Sequence, residues 1–143
     1  MIAKPFDGFS FVKRFSDGDY DIKLMLDEID RFLLNITTNM GIKNLRPDKH
    51  HYHYGYWIPE LNGGLYIYWW LPSSPERENV FAIWKGEPRG VRPFSQIVRE
   101  VNQAREEGRL TEYMENLASE AHAILSEEEW IINEGVSEKG SEN

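Results

Sequence analysis

The chain contains no cysteine among its 143 residues. A disulfide framework, a thiolate nucleophile and a zinc site with cysteine ligands all need the thiol group, so these three kinds of chemistry are excluded. The sequence also lacks an apolar run long enough to cross a bilayer, and its first residues lack the apolar segment of a signal peptide. We therefore expect a cytoplasmic protein that has no membrane partner.

Basic side chains are scarce in the last third of the chain. Residues 100–143 hold three Lys or Arg and twelve Asp or Glu, whereas residues 1–99 hold thirteen and twelve. An acidic surface attracts basic partners and repels nucleic acid and membrane phosphate. The residues that we expect to steer a basic partner are glutamates of the predicted C-terminal helices: Glu106, Glu107, Glu112, Glu115 and Glu120.

The composition predicts one folded domain with a short tail. Hydrophobic residues make up 41% of the chain, which is too many for wholesale disorder. The length suits a single hydrophobic core. We therefore expect a single α+β domain over residues 1–134 and a disordered acidic tail over residues 135–143, where Ser, Glu and Gly predominate.

The N-terminal part of the chain shows two different hydrophobic periods. Apolar residues partly alternate over residues 6–15, which predicts a short strand. Over residues 20–40 they recur every three to four positions, which predicts an amphipathic helix that Gly41 ends.

The C-terminal part predicts two or three helices. Ser95 is placed to cap a helix that Gly108 ends, and a second helix follows over residues 113–125. Ser126 and the glutamates after it form a capping-box pattern, which predicts a last short helix.

Between these helical segments lies an aromatic hairpin. Residues 50–58 and 65–71 are rich in Tyr and Trp and flank Asn62-Gly63, a dipeptide typical of a two-residue hairpin turn. Residues 80–84 predict a third strand, whereas residues 43–49 and 86–93 read as irregular connections. The predicted fold class is α+β. A small antiparallel sheet of three or four strands packs against an N-terminal helix and two or three C-terminal helices.

Alternation along the hairpin predicts a face made of aromatic and histidine side chains. With a turn at Asn62-Gly63, Gly55 lies opposite Trp70, whose indole then covers the glycine backbone. The candidate binding residues on this face are His51, His53, Trp57, Tyr66, Tyr68 and Trp70. Two interpretations remain open: the face is exposed and binds a flat or apolar group, or helices cover both sides of the sheet and the face is a second core layer.

Two groups of residues suggest ligand chemistry. His51 and His53 form an H-x-H pattern that chelates a metal only with a third ligand such as His122, Glu120 or an Asp. No zinc motif is present, so we predict no metal and no cofactor. Arg89 and Arg92 precede a predicted helix N-terminus, an arrangement that binds phosphate groups, although the segment is not a P-loop.

No residue set identifies a reaction. The sequence has no G-x-S-x-G pattern, and we assign no catalytic residues. The leading interpretation is therefore a non-catalytic protein that acts by protein–protein contact, as an inhibitor or immunity-type antagonist of a basic partner such as a nuclease. In this interpretation the glutamates steer the partner and the aromatic face anchors it.

Three other possibilities stay open. The first alternative is a nucleotide or single-stranded nucleic-acid binder that combines the aromatic face with Arg89 and Arg92. A His-dependent metal enzyme is a further alternative. A homodimer that pairs two aromatic faces is also compatible with these residues.

Overall fold

The computed structural model describes residues 6–15, 21–69 and 79–127. The predicted tail over residues 135–143, Trp70 and the part of the predicted last helix beyond residue 127 lie outside these ranges. Within them, the α+β class with an antiparallel sheet is confirmed. The elements in chain order are α1 (Gly8–Phe15), α2 (Leu26–Asn39), β1 (Arg46–Lys49), β2 (His53–Ile58), β3 (Gly63–Tyr68), β4 (Val80–Trp84), β5 (Pro88–Pro93), α3 (Phe94–Glu106) and α4 (Leu110–Leu125).

The sheet is wider than the sequence predicts. It has five strands in the order β1-β2-β3-β4-β5 among the described residues, and every neighbouring pair is antiparallel. The two additional strands, β1 and β5, come from segments predicted to be irregular. Both contain proline, which sheets tolerate at their edges, and β5 pairs with β4 through a bulge.

The predicted strand over residues 6–15 is wrong, because this segment forms helix α1. Asp7 stabilises the start of the helix: its Oδ1 accepts a hydrogen bond from the backbone N–H of Phe9 at 3.0 Å. Phe11 and Phe15 lie four residues apart, on the same side of the helix, and both are buried. Phe9, which a strand would have placed beside Phe11, is exposed.

The other helices follow the sequence more closely. Helix α2 is confirmed and ends before Gly41, whose φ of +78° is the left-handed conformation that glycine adopts readily. A separate 3₁₀ turn, Ile22–Leu24, precedes it. Ser95 is not the cap of α3, because this helix begins at Phe94 after Pro93. Ser126 is the C-cap residue of α4, and the predicted last helix falls on residues that lie mostly outside the described ranges.

The hairpin turn is longer than predicted. His53 pairs with Tyr68 and Ile58 with Gly63, so that four residues, 59–62, connect the strands. The prediction of a two-residue turn at Asn62-Gly63 is therefore wrong. Pro59 explains the difference, because it cannot donate a backbone hydrogen bond to the ladder and instead starts a 3₁₀ turn. The register moves by four residues, and an even shift leaves the paired side chains of β2 and β3 on their predicted faces.

The four helices of the described residues pack on one face of the sheet. Side chains from α1, α2, α3 and α4 form a single buried cluster with sheet residues that include Ile58, Ile67 and Phe81. Asp30 of α2 ties this layer to β2, since its carboxylate accepts hydrogen bonds from the hydroxyls of Tyr54 and Tyr56. Within the described residues, no helix is both long enough and apolar enough to span a membrane.

A second, smaller cluster occupies the opposite face of the sheet. It consists of Tyr66, Tyr68, Val80 and Ala82, with Trp84 packed against it. No described helix contributes to this cluster. In the part of the chain that the structure describes, the interpretation in which helices cover both faces of the sheet therefore has no support.

Candidate functional site

The face opposite the helices contains a small cavity that we call the aromatic pocket. Its volume is about 160 Å³, and four adjacent strands supply its walls. The lining residues are Asp48 of β1, His53 and Trp57 of β2, Tyr66 and Tyr68 of β3, and Trp84 of β4.

Gly55 lies at the centre of a row of paired residues that crosses β1, β2 and β3. It pairs with Asp48 on one side and with Tyr66 on the other. Because Gly55 has no side chain, the ring of Tyr66 extends across it, and the hydroxyl donates a hydrogen bond of 2.6 Å to Oδ2 of Asp48. A Cβ atom at Gly55 would lie only 2.6 Å from Cδ1 of Tyr66. The hydrogen bond between Tyr66 and Asp48 therefore requires glycine at position 55.

Gly64 lies at the centre of a second row of paired residues, which crosses β2, β3 and β4. It pairs with Trp57 in β2 and with Trp84 in β4, so that the two indoles flank a position without a side chain. Both tryptophans are partly exposed. A Cβ atom at Gly64 would lie 2.8 Å from Cε2 of Tyr66, so the missing side chain leaves room for the ring of Tyr66.

His53 pairs with Tyr68 in the next row, on the other side of the Gly55 row from Gly64, and it packs on tyrosine rings. Its ring centroid is 4.8 Å from that of Tyr66 and 5.2 Å from that of Tyr68, both in edge-to-face geometry. Its Nε2 is buried without a hydrogen-bond partner and lies 3.8 Å from Oδ1 of Asp48, too far for a hydrogen bond. Burial lowers the pKa of His53 and outweighs the attraction of the Asp48 carboxylate, while His50 lowers it further. His53 is therefore neutral at pH 7.

The tyrosines of the pocket stay protonated. Burial, helped by the nearby Asp48 carboxylate, raises the pKa of Tyr68 to about 12 and raises that of Tyr66 as well. Both rings are almost fully buried, with 3% of Tyr66 exposed, whereas the side chain of Asp48 is 41% exposed. The pocket therefore offers aromatic surface and one accessible carboxylate, which are binding groups and not an activated nucleophile.

The structure brings together four of the six binding residues predicted from the sequence: His53, Trp57, Tyr66 and Tyr68. His51 does not line the pocket, because it lies in an exposed bend before β2, where its carbonyl accepts a hydrogen bond from Nε1 of Trp69 at 2.8 Å. Trp70 lies outside the described residues.

Sequence reasoning missed two residues of the pocket, Asp48 and Trp84. Trp84 alternates with Ala82 and Val80 along β4, so the strand pattern contained a signal for its face. Asp48 belongs to an edge strand that has no hydrophobic alternation, and no local signal identified it.

The structure places neither His122 nor Glu120 beside His53, whereas Oδ1 of Asp48 lies 3.8 Å from Nε2 of His53. His122 and Glu120 belong to α4, which packs on the other face of the sheet from His53. In residues 6–15, 21–69 and 79–127, no group of three or more His, Asp or Glu side chains is arranged to hold a metal ion.

Arg89 and Arg92 are paired with carboxylates on α4 or just after its end, and neither lines the aromatic pocket. Arg89 donates two hydrogen bonds to the carboxylate of Glu127, at 3.0 and 2.7 Å, and Arg92 is paired with Glu120. Arg89 lowers the pKa of Glu127 below its usual range, as expected for a close ion pair. Both guanidinium groups therefore have carboxylate partners within the fold. The nucleotide interpretation requires arginine beside the aromatic rings, and the structure does not place Arg89 or Arg92 there.

The five candidate steering glutamates differ in their partners. Glu120 is paired with Arg92, and Glu107 lies 2.6 Å from Arg109. The other three, Glu106, Glu112 and Glu115, are exposed and form no ion pair with the described residues. Since α3 and α4 pack on the opposite side of the sheet, these glutamates and the aromatic pocket do not form one continuous surface.

A larger cavity of about 400 Å³ lies at the end of α4. Lys85 is buried beside it and donates a hydrogen bond of 2.6 Å from Nζ to the carbonyl of Leu61. Glu127, which also lines this cavity, is already bonded to Arg89. These charged groups are occupied by contacts within the fold.

The lowered pKa of His53 predicts a loss of stability on acidification. The unfolded chain, in which this histidine has its ordinary pKa of 6.5, takes up a proton at a higher pH than the folded protein. The free energy of unfolding should therefore fall as the pH is lowered through about 6.5, between about pH 7.5 and 5.5. Urea unfolding at a series of pH values measures this slope.

Substitution of His53 tests whether this residue causes the slope. His53→Gln should flatten the decline over that interval, whereas His122→Gln, at an exposed position of α4, should leave it as in the parent protein. An unchanged slope in His53→Gln would show that other groups cause the decline.

Comparison with known proteins supplies no relative from which a role could be transferred. No protein-family model matches the chain, and no curated protein or solved structure is similar enough to indicate a relationship.

Proposed function

We propose that this protein is a non-catalytic binding protein that acts through contact with a protein partner whose surface is basic. The observation that carries the proposal is the aromatic pocket, which opens on the sheet face to which no described helix is bound. Tyr and Trp side chains dominate the energetics of protein–protein interfaces. A sheet face that presents two partly exposed indoles, Trp57 and Trp84, is suited to such a contact.

The size of the pocket favours a protein partner over a free small molecule. Small-molecule sites usually enclose about 300–1,000 Å³. The aromatic pocket has about 160 Å³, which accommodates a single side chain. The surrounding sheet face would provide the rest of the contact area.

The charge distribution favours a basic partner. The chain has a net charge of −8, and exposed glutamates without ion pairs among the described residues lie on α3 and α4. Such a field accelerates association with a positively charged protein even from the far side of the domain. The narrower form of the proposal is an inhibitor or immunity-type antagonist, for example of a nuclease, whose nucleic-acid-binding surface is basic.

The chemistry of the described residues supports a role without catalysis. Among the described residues, one serine hydroxyl approaches a histidine: the Oγ of Ser126 lies 3.4 Å from Nδ1 of His122. Both residues are exposed, and within the described part of the chain no carboxylate orients the other nitrogen of His122. A serine nucleophile needs such a buried and oriented arrangement.

Site-directed photocrosslinking tests the contact face. A photoreactive phenylalanine in place of Trp57 should crosslink to a basic protein in cells, and the crosslink should disappear when Trp84→Ala is added. The same photoreactive residue in place of Glu112, on the exposed side of α4, is the control and should give no such product. A partner captured only from position 112, or captured from position 57 regardless of Trp84, would contradict the proposal.

The glutamates should affect the rate of association and not the lifetime of the complex. We expect a variant with Glu106, Glu112 and Glu115 all changed to glutamine to bind the purified partner about tenfold more slowly at low salt, with the same dissociation rate. Stopped-flow fluorescence measures both rates. The difference should vanish in about 1 M salt, where the screening length is about 3 Å. An association rate equal to that of the parent protein at low salt would show that these glutamates do not steer the partner.

A further inference from the structure

We propose that the aromatic pocket binds the ammonium group of a lysine side chain that belongs to the partner protein. This inference rests on the proposed function and identifies the group that enters the pocket. Three features of the described residues carry it: a carboxylate without a cation, a wall of aromatic rings and the limited acceptor capacity of that carboxylate.

The carboxylate of Asp48 lacks a positive counterpart. Within the described residues, the one basic group within 4 Å of it is His53, at 3.8 Å, and burial lowers the pKa of this histidine so that it is neutral at pH 7. Asp48 is nevertheless partly buried against the tyrosine rings. A partly desolvated carboxylate of this kind favours a cationic ligand.

The rings around Asp48 add a second attraction for a cation. Trp57, Trp84, Tyr66 and Tyr68 line the same cavity as the carboxylate. Aromatic rings attract ammonium groups through their quadrupole, and the attraction is strongest for Trp. A cavity that combines several such rings with one carboxylate is suited to a cation on an apolar stem, and lysine carries its charge at the end of four methylene groups.

The hydrogen bonds of Asp48 favour lysine over arginine. A guanidinium group is best bound by two carboxylate oxygens in a bidentate pair. Oδ2 of Asp48 already accepts the hydroxyl of Tyr66 at 2.6 Å, which leaves Oδ1 as the freer oxygen. A single available oxygen matches an ammonium group, which binds as a compact point charge.

Titration with model compounds tests the inference directly. The probes are Nα-acetyl-lysine-N-methylamide, the corresponding arginine compound and the norleucine compound, which is the uncharged counterpart of lysine. Two-dimensional NMR of the full chain follows the indole N–H signals of Trp57 and Trp84. The lysine probe should shift these signals and bind at least tenfold more tightly than norleucine and several-fold more tightly than arginine.

Two acidic residues provide the matched variants. Asp48→Asn keeps an oxygen that accepts the Tyr66 hydroxyl but removes the charge, and it should weaken binding of the lysine probe at least fivefold. Asp27→Asn removes an exposed carboxylate on α2 and should leave binding unchanged. The NMR spectrum of each variant shows whether the fold is retained. Norleucine binding as tight as lysine binding, or full affinity in Asp48→Asn, would overturn the inference.

The outcomes separate this inference from the proposed function. If photocrosslinking from position 57 captures a basic partner while the lysine probe leaves both indole signals unmoved, the lysine assignment is wrong and the binding function stands. If the lysine probe binds as expected and no protein is captured from position 57, the pocket recognises ammonium groups and the proposed protein–protein function is wrong.

Discussion

Phe11→Ala is expected to lower the free energy of unfolding by about 4 kcal/mol, in the range measured for the loss of buried phenylalanines. The Phe11 side chain is fully buried. Its ring stacks on Phe32 at a centroid distance of 5.2 Å and meets Phe15 and Phe94 edge to face at 5.1 and 5.7 Å. The substitution leaves a cavity where α1 joins α2 and α3. Urea denaturation followed by tryptophan fluorescence measures the loss.

Phe9 is the matched control for this prediction. It lies two residues away on the same helix, 57% of it is exposed, and its ring contacts the guanidinium of Arg105 at 5.6 Å. Phe9→Ala should therefore cost no more than about 1 kcal/mol, the value of an exposed cation–π contact. A strand over residues 6–15 would place both phenylalanines on one face. Similar losses in the two variants would contradict the helical assignment of α1.

Gly55→Ala is expected to lower the free energy of unfolding by about 3 kcal/mol. This loss lies at the upper end of the usual range for overpacking. A Cβ atom at this position would lie 1.9 Å from the carbonyl oxygen of Leu65 and 2.8 Å from Cα of Tyr66. The obstacle is backbone, which cannot move without breaking the ladder between β2 and β3. Thermal and urea unfolding measure the loss.

Gly8→Ala is the control for the effect of adding a methyl group. Its Cβ would meet Cδ2 of Leu110 at 2.6 Å, which is the end of a flexible side chain, and alanine favours the helical conformation of α1. We expect its stability to stay within about 1 kcal/mol of the parent protein. In Gly55→Ala the ring of Tyr66 should also leave Asp48, so any folded fraction should have lost affinity for the lysine probe. If Gly55→Ala were as stable as the parent protein, this would show that β2 and β3 move apart at little cost in free energy.

The faces of the hairpin could be predicted although its register could not. The predicted pairing and the observed pairing differ by four residues, as the partner of Gly55 shows: Tyr66 in place of Trp70. Side chains alternate with a period of two, so any even shift preserves the set of residues on each face. The shared face of His53, Trp57, Tyr66 and Tyr68 was therefore predicted correctly although the predicted turn was wrong.

Helix α1 shows where local pattern reasoning fails. Over a segment as short as residues 6–15, phenylalanines at positions 9 and 11 fit a strand, and those at positions 11 and 15 fit a helix. The choice depends on which rings find partners, and Phe11 finds them in α2 and α3. The decisive contacts are distant in sequence.

The sequence by itself determined the α+β class, helices α2 and α4, the central strands β2, β3 and β4, and the face on which the paired side chains of β2 and β3 lie. These features follow from hydrophobic periods and turn residues, which act over a few positions. Tertiary structure alone decided the edge strands β1 and β5, the pairing of Arg89 and Arg92 with carboxylates of the α4 region, and the meeting of Asp48 with Trp84 in one pocket. The physical reason is that edge strands form by backbone pairing and ion pairs by proximity in space. Neither edge strands nor ion pairs produce a periodic pattern of hydrophobic residues in the sequence.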